Sequence, residues 1–230
     1  MFKNITAKFS SINSVQLILD EGGLKKVKTI SLADFVEALN ASIDKKDLKE
    51  DTVISPLYPV FEHIHTVQHI DKGNGKETII LLRNNKPSDI TYFDTKFKSV
   101  GVPKLLFALE LFQGIIQTVK VAAIKDSNYI TKKTVLFHYP FAHVSSPTNS
   151  ACLGGNRLAE KDFKINDINM SYKIPDMFLK MPNGNDYYNE VNYSNLKMRP
   201  LLESLQHKPF PNEWLKPAGL LYNEWINSLI

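Results

Sequence analysis

Residues 104–139, KLLFALELFQGIIQTVKVAAIKDSNYITKKTVLFHY, carry the fold of this chain. They hold three apolar, β-prone runs, KLLFALELF (104–112), TVKVAAIKD (118–126) and KTVLFHY (133–139), with short turns between them. Runs of that length read as strands, and their succession as an antiparallel meander. Upstream, SVQLILDE (14–21) and LKKVKTI (24–30) read as paired strands about a Gly22-Gly23 turn. Ser31 reads as a helix N-cap with Asp34 following, and Leu32, Phe35, Val36, Leu39 and Ile43 recur at helical spacing over 32–43. FEHIHTVQHI (61–70) and ETIILLRN (77–84) flank DKGNGK, whose Gly73 and Gly75 suit a hairpin loop, and ITYFD (90–94) adds a short strand.

Pro87 and Pro103 punctuate the chain between these elements and the meander. The expected organisation is an N-terminal α+β region over 1–95 and a core over 96–230. Past Cys152 the periodicity fails for about forty residues, and PNGNDYYNE (182–190) reads as loop. MRPLLESLQ (198–206) and PAGLLYNEWINSLI (217–230) read as helices. In the second, Pro217 takes the first helical position and Leu221, Trp225 and Leu229 share a face. The sum is an α+β fold with an antiparallel sheet.

Composition narrows the function classes. The chain has 230 residues, 43% hydrophobic and 23% charged, which is that of an ordinary globular protein. Its net charge of +4 is mild and no cluster of Lys and Arg stands out, so a nucleic-acid partner is not expected. The N-terminal MFKNITAKFSSINS lacks an apolar core of signal-peptide length. The greasiest stretch, 102–124, is broken by Pro103, Lys104, Glu110, Gln113, Gln117 and Lys120, so no bilayer span is expected. One cysteine allows no internal disulfide, and a cytoplasmic location follows as the expectation.

Two groups of residues invite a chemical reading. His63, His65 and His69 are the densest histidines, and on a strand His63 and His65 would point to one face. No cysteine lies near them, a zinc deaminase would need a paired-cysteine motif, and no metal site is expected. The second group is SSPTNSACLGGN (145–156), full of turn formers, which places the only cysteine, Cys152, in a loop after the last meander strand. Backbone N–H groups of that loop, with Asn149 and His143, would favour a thiolate and hold an oxyanion. Gly154 and Gly155 would let another chain approach closely or simply make a tight turn. As a bare residue, Cys152 also fits a small buried hydrophobe.

The ordered set FHYPFAHV, an Asn-bearing loop, CLGG and later helices resembles the ubiquitin-conjugating enzymes. There a strand meander runs into a His-Pro-Asn motif, with the catalytic cysteine some residues after the Asn. More specifically the chain resembles the B-protein family of the bacterial PRTRC cassette, a prokaryotic branch of that superfamily. A Pro-Phe-x-Asn-Val stretch there leads to Val-Cys-Leu-Gly. The matching residues are Pro140, Phe141, Ala142, His143 and Val144, then Ala151, Cys152, Leu153 and Gly154. VPKLLFALEL (102–111) and FPNEWLKPAGLLYNEW (210–225) are similar to the family's preceding strand and C-terminal end. The likeness covers about the last 130 residues. It departs at His143, which stands where the family has Asn; His138, five residues earlier, matches the strand-end histidine of a His-Pro pair displaced by an insertion.

The resemblance implies a ubiquitin-conjugating-like core and a cysteine acyltransferase. Cys152 would accept a ubiquitin-like protein as a thioester from a ThiF-like activating enzyme and pass it to an amine, with no metal or organic cofactor. His143, Asn149 and His138 are the candidate supporting residues, and Glu160 and Asp162 would orient an attacking lysine. The alternative is a non-catalytic scaffold that binds a ubiquitin-like partner and buries the cysteine. A cysteine hydrolase would need His143 or His138 within hydrogen-bond reach of the sulfur.

Overall fold

The computed structural model describes residues 4–11, 13–21, 24–42, 62–127, 129–153, 168–189 and 191–230. The chain divides into two compact units, Met1–Pro56 and Leu57–Ile230. In the first, strands β1 (Asn4–Ser11), β2 (Ser14–Glu21) and β3 (Leu24–Ser31) form an antiparallel sheet in sequence order. Helix α1 (Leu32–Ser42) follows at once. Ser31 Oγ accepts the backbone N–H of Asp34 at 3.0 Å, the N-cap bond that the sequence predicts. Phe35 of α1 stands edge-on to Phe9 of β1, with centroids 5.9 Å apart.

The second unit is built on a six-stranded antiparallel sheet. Its strands are β4 (Ile64–Asp71), β5 (Lys76–Arg83), β8 (Lys104–Phe112), β9 (Ile115–Ile124), β10 (Val135–Phe137) and β11 (Pro217–Leu221). They lie in the spatial order β11-β10-β9-β8-β5-β4. A separate hairpin of β6 (Ser88–Tyr92) and β7 (Thr95–Val100) is inserted between β5 and β8. The division falls at Pro56, ahead of the expected position near residue 95, because β5 pairs along its whole length with β8 and draws β4 into the same sheet.

The uninterrupted apolar run of β8 has a direct cause: both faces of the sheet are covered. Leu105, Phe107 and Leu109, with Ile79, Leu81, Val119 and Val121, face a core shared with α3 (Ile174–Lys180) and α4 (Met198–Leu205). Leu106 and Ala108, with Ile80, Ala122 and Ile124, face α5 (Tyr222–Asn227) through Trp225 and Ile226. A short helix, α2 (Ile168–Ser171), leads into α3.

The architecture is α+β with antiparallel sheets. The expected helix over 217–230 is corrected: its first five residues are β11, and only Tyr222–Asn227 is helical. Gly219 takes φ +71°, outside the right-handed helix, while Leu220 and Leu221 pair with Leu136 and Val135. The helix can start only after Leu221, whose N–H donates to Glu224 Oε2 at 2.8 Å. The strand expected over 133–139 contracts to three residues, and β9 begins at Ile115. Short α2 and α3 occupy the stretch without periodicity. No helix among the described residues is long and apolar enough to cross a membrane.

Candidate functional site

Beyond Phe137 the chain leaves β10, and Phe141, Ala142 and Val144 bury themselves in the core. It then turns back as a small hairpin closed by a Val144–Ala151 bridge. Ser145 N–H donates to Ser150 O at 2.9 Å and Asn149 N–H to Ser145 O at 2.7 Å. The returning arm occupies the edge of β9 that β10 vacates. Val121 N–H donates to Asn149 O, and Ala151 N–H to Val119 O, both at 2.8 Å. This hairpin carries Cys152, His143 and Asn149.

Cys152 is free and half-buried, and its N–H donates to His143 O at 2.7 Å. The two residues are therefore held opposite one another by the backbone. His143 has φ +74°, a left-handed conformation uncommon outside glycine. Two bonds hold it there: its N–H donates to Asp186 O at 2.8 Å, and its Nε2 accepts the Gly184 N–H at 3.0 Å. An accepting Nε2 carries no proton, so the neutral ring keeps its hydrogen on Nδ1.

Asn149 also adopts a positive φ, +55°, and is almost wholly buried. Its side-chain Oδ1 has no hydrogen-bond partner among the described residues. His138 is tied to a different segment. Its N–H donates to Lys216 O at 3.0 Å and its buried Nδ1 has no partner among the described residues. Burial, then the charge of Lys216, pushes its pKa below the ordinary histidine value, which keeps the ring neutral. Among the described residues no hydrogen bond links His138 to Cys152, His143 or Asn149. Gly154, Gly155, Glu160 and Asp162 lie outside the described residues.

The N-terminal histidines are dispersed among separate partners. His63 Nε2 meets Asp176 Oδ2 at 2.8 Å, His69 Nε2 meets Glu77 Oε2 at 2.9 Å, and His65 Nε2 lies 3.3 Å from Asn84 Nδ2. Asp176 also accepts Arg83 Nε–H at 2.8 Å, and Arg83 is buried, donating through Nη1 to the carbonyls of Asn84 and Lys86. Burial raises the Asp176 pKa, but hydrogen bonds from His63 and Arg83 and their charge outweigh it and hold the carboxyl below its usual range.

Several residues that shape the site carry no signal in the sequence. Gly184 and Asp186 lie in a segment legible only as loop, yet they hold His143 in place. Lys216, one residue ahead of the stretch expected to be helical, accepts the His138 N–H through its carbonyl. Comparison of the chain with protein-family models, curated proteins and solved structures finds no match.

Proposed function

We propose that the protein is a ubiquitin-conjugating-like cysteine acyltransferase of the PRTRC type. It carries a bacterial ubiquitin-like protein as a thioester on Cys152 and passes it to an amine. One observation supports this reading above the rest. A free, half-buried thiol is set opposite a histidine on a backbone-locked hairpin at the edge of an antiparallel meander.

In loading, the Cys152 thiolate attacks the C-terminal carbonyl carbon of the ubiquitin-like protein on a ThiF-like activating enzyme. A carbon–sulfur bond forms and the activating enzyme's leaving group departs. In transfer, an amine nitrogen attacks the thioester carbonyl, a tetrahedral oxyanion forms, and the carbon–sulfur bond breaks with the electron pair returning to sulfur. The amine gives up its proton to solvent. His143 Nε2 is already taken by the Gly184 N–H, so its part is donation from Nδ1–H to the oxyanion rather than proton abstraction.

The test incubates the full chain with its activating enzyme, ATP and the ubiquitin-like protein, and resolves the products on a non-reducing gel. The expected result is an adduct that reductant removes and that Cys152→Ala abolishes; no Cys152-dependent adduct sinks the proposal. His143→Ala is expected to load normally but to discharge to an amine about 10²-fold more slowly, with His143→Asn restoring most of the rate. Discharge unchanged in His143→Ala removes the histidine from the mechanism.

The same hydrogen bond favours a second reading, a non-catalytic scaffold for a ubiquitin-like partner. There the Gly184–His143 bond and buried Asn149 serve only to hold the loop. Native Cys152 inert to alkylation, with the partner still bound, selects that reading.

A further inference from the structure

One face of α3, extended by Lys173 ahead of it, carries Lys173, Asp176, Met177 and Lys180. That spacing stacks the four side chains along a single stripe, and Lys173 already has helical dihedrals, φ −78° and ψ −23°. With His63 and Ile64 at the start of β4, and Tyr172, the stripe lines a pocket of about 530 Å³ in the second unit. Neither Cys152 nor His143 is among its described lining residues.

The body of the pocket is apolar. Ile64 and Tyr172 are buried, and half-buried Met177 packs against the main core. The Tyr172 hydroxyl is hydrogen-bonded to Thr66 Oγ1, within the fold. The methylene stems of the two lysines continue the same surface.

Its charges fall into two classes. Asp176 gives one oxygen to His63 Nε2 and the other to Arg83 Nε–H, and the buried Arg83 guanidinium balances its charge. Lys173 and Lys180 are exposed, and neither side chain makes a hydrogen bond or ion pair among the described residues. Seven residues at about 1.5 Å each set them about 10 Å apart, one at each end of the apolar wall. A cationic ligand would meet two unmatched lysines and a carboxylate already matched. An apolar chain ending in a carboxylate uses both the wall and a lysine, in a volume within the usual range for small-molecule pockets. We infer that this pocket binds an aliphatic monocarboxylate, with its chain against Ile64, Tyr172 and Met177 and its head at a lysine ammonium. The inference stands independently of the thioester reading.

Octanoate, acetate and 1-octanol are titrated one at a time into the full chain carrying methyl-labelled methionine, and NMR follows the signals. The chain has five methionines, and Met177→Leu assigns the one in the pocket. Octanoate is expected to move the Met177 signal with a dissociation constant below about 1 mM, and to weaken as salt is raised. Acetate, which lacks the chain, should bind at least about ten-fold more weakly, and 1-octanol, which lacks the charge, about five-fold more weakly. Lys173→Glu combined with Lys180→Glu, checked for an unchanged melting temperature, should weaken octanoate about ten-fold or more and leave 1-octanol within about two-fold. Any of three results overturns the inference: a Met177 signal unmoved by octanoate up to about 10 mM, 1-octanol binding as tightly as octanoate, or octanoate affinity unchanged in the folded double variant.

Discussion

At Gly101 the backbone of the 208–210 segment passes directly over the chain. An added Cβ would stand 2.8 Å from Phe210 N and from the carbonyl carbon of Pro209, and closer still to Lys208 O. Those are main-chain atoms that cannot swing aside, and Gly101 N–H itself donates to Leu205 O at 3.0 Å. Gly101→Ala is therefore expected to cost about 3 kcal/mol in urea unfolding, at the upper end of overpacking penalties. A loss under about 0.5 kcal/mol, the range of a neutral surface change, would show that the two segments part freely. Asp176 governs a different dependence. Its folded pKa lies below the ordinary aspartate value, so its ion pairs stabilise the fold above about pH 4 and that contribution is lost as pH falls through the depressed value. Asp176→Asn should lower stability at pH 7 and flatten the acid limb of a urea-midpoint against pH curve. An acid limb as steep as that of the parent would assign the slope to other carboxylates.

At the scale of elements, α5 is the only helix among the described residues that covers its face of the sheet. Trp225 is its anchor, 1% exposed and packed among the residues of β5, β8 and β9 that point that way. Trp225→Ala is expected to destabilise by about 3–5 kcal/mol, and a two-state urea transition measures it. Much of the secondary structure here was legible from local pattern. β2, β3, α1, β4, β5 and β8 fall where period and turn chemistry put them, because those signals lie within each segment. Residues 217–221 were not legible. A proline, a glycine and two leucines just ahead of a helical stretch fit either a helix start or an edge strand, and the partner that decides, β10, lies about eighty residues away.

For the whole molecule, all six strands of the larger sheet belong to Leu57–Ile230, as do α3, α4 and α5, which cover its faces. A chain of residues 57–230 is therefore expected to fold by itself, with its cooperative thermal transition within about 5 °C of the full protein's. Loss of dispersed amide signals in its NMR spectrum would show that the first unit is needed. The candidate site divides along the same line as the fold. Cys152, His143 and Asn149 were legible as a group, since they lie within ten residues and a turn-rich loop must bring them near one another. Their setting was not. His143 is held by Gly184 from 41 residues away, and Asp176 joins Arg83 across 93 residues and His63 across 113. By itself the sequence determined the α+β class, the strands of the meander and the loop that bears the cysteine, because propensity and periodicity act over neighbouring residues. Only the tertiary structure decided which edge of β9 that loop completes, which ring nitrogen of His143 is taken, and where the pocket between α3 and the start of β4 opens. Those outcomes depend on pairings between distant segments, which no local pattern encodes.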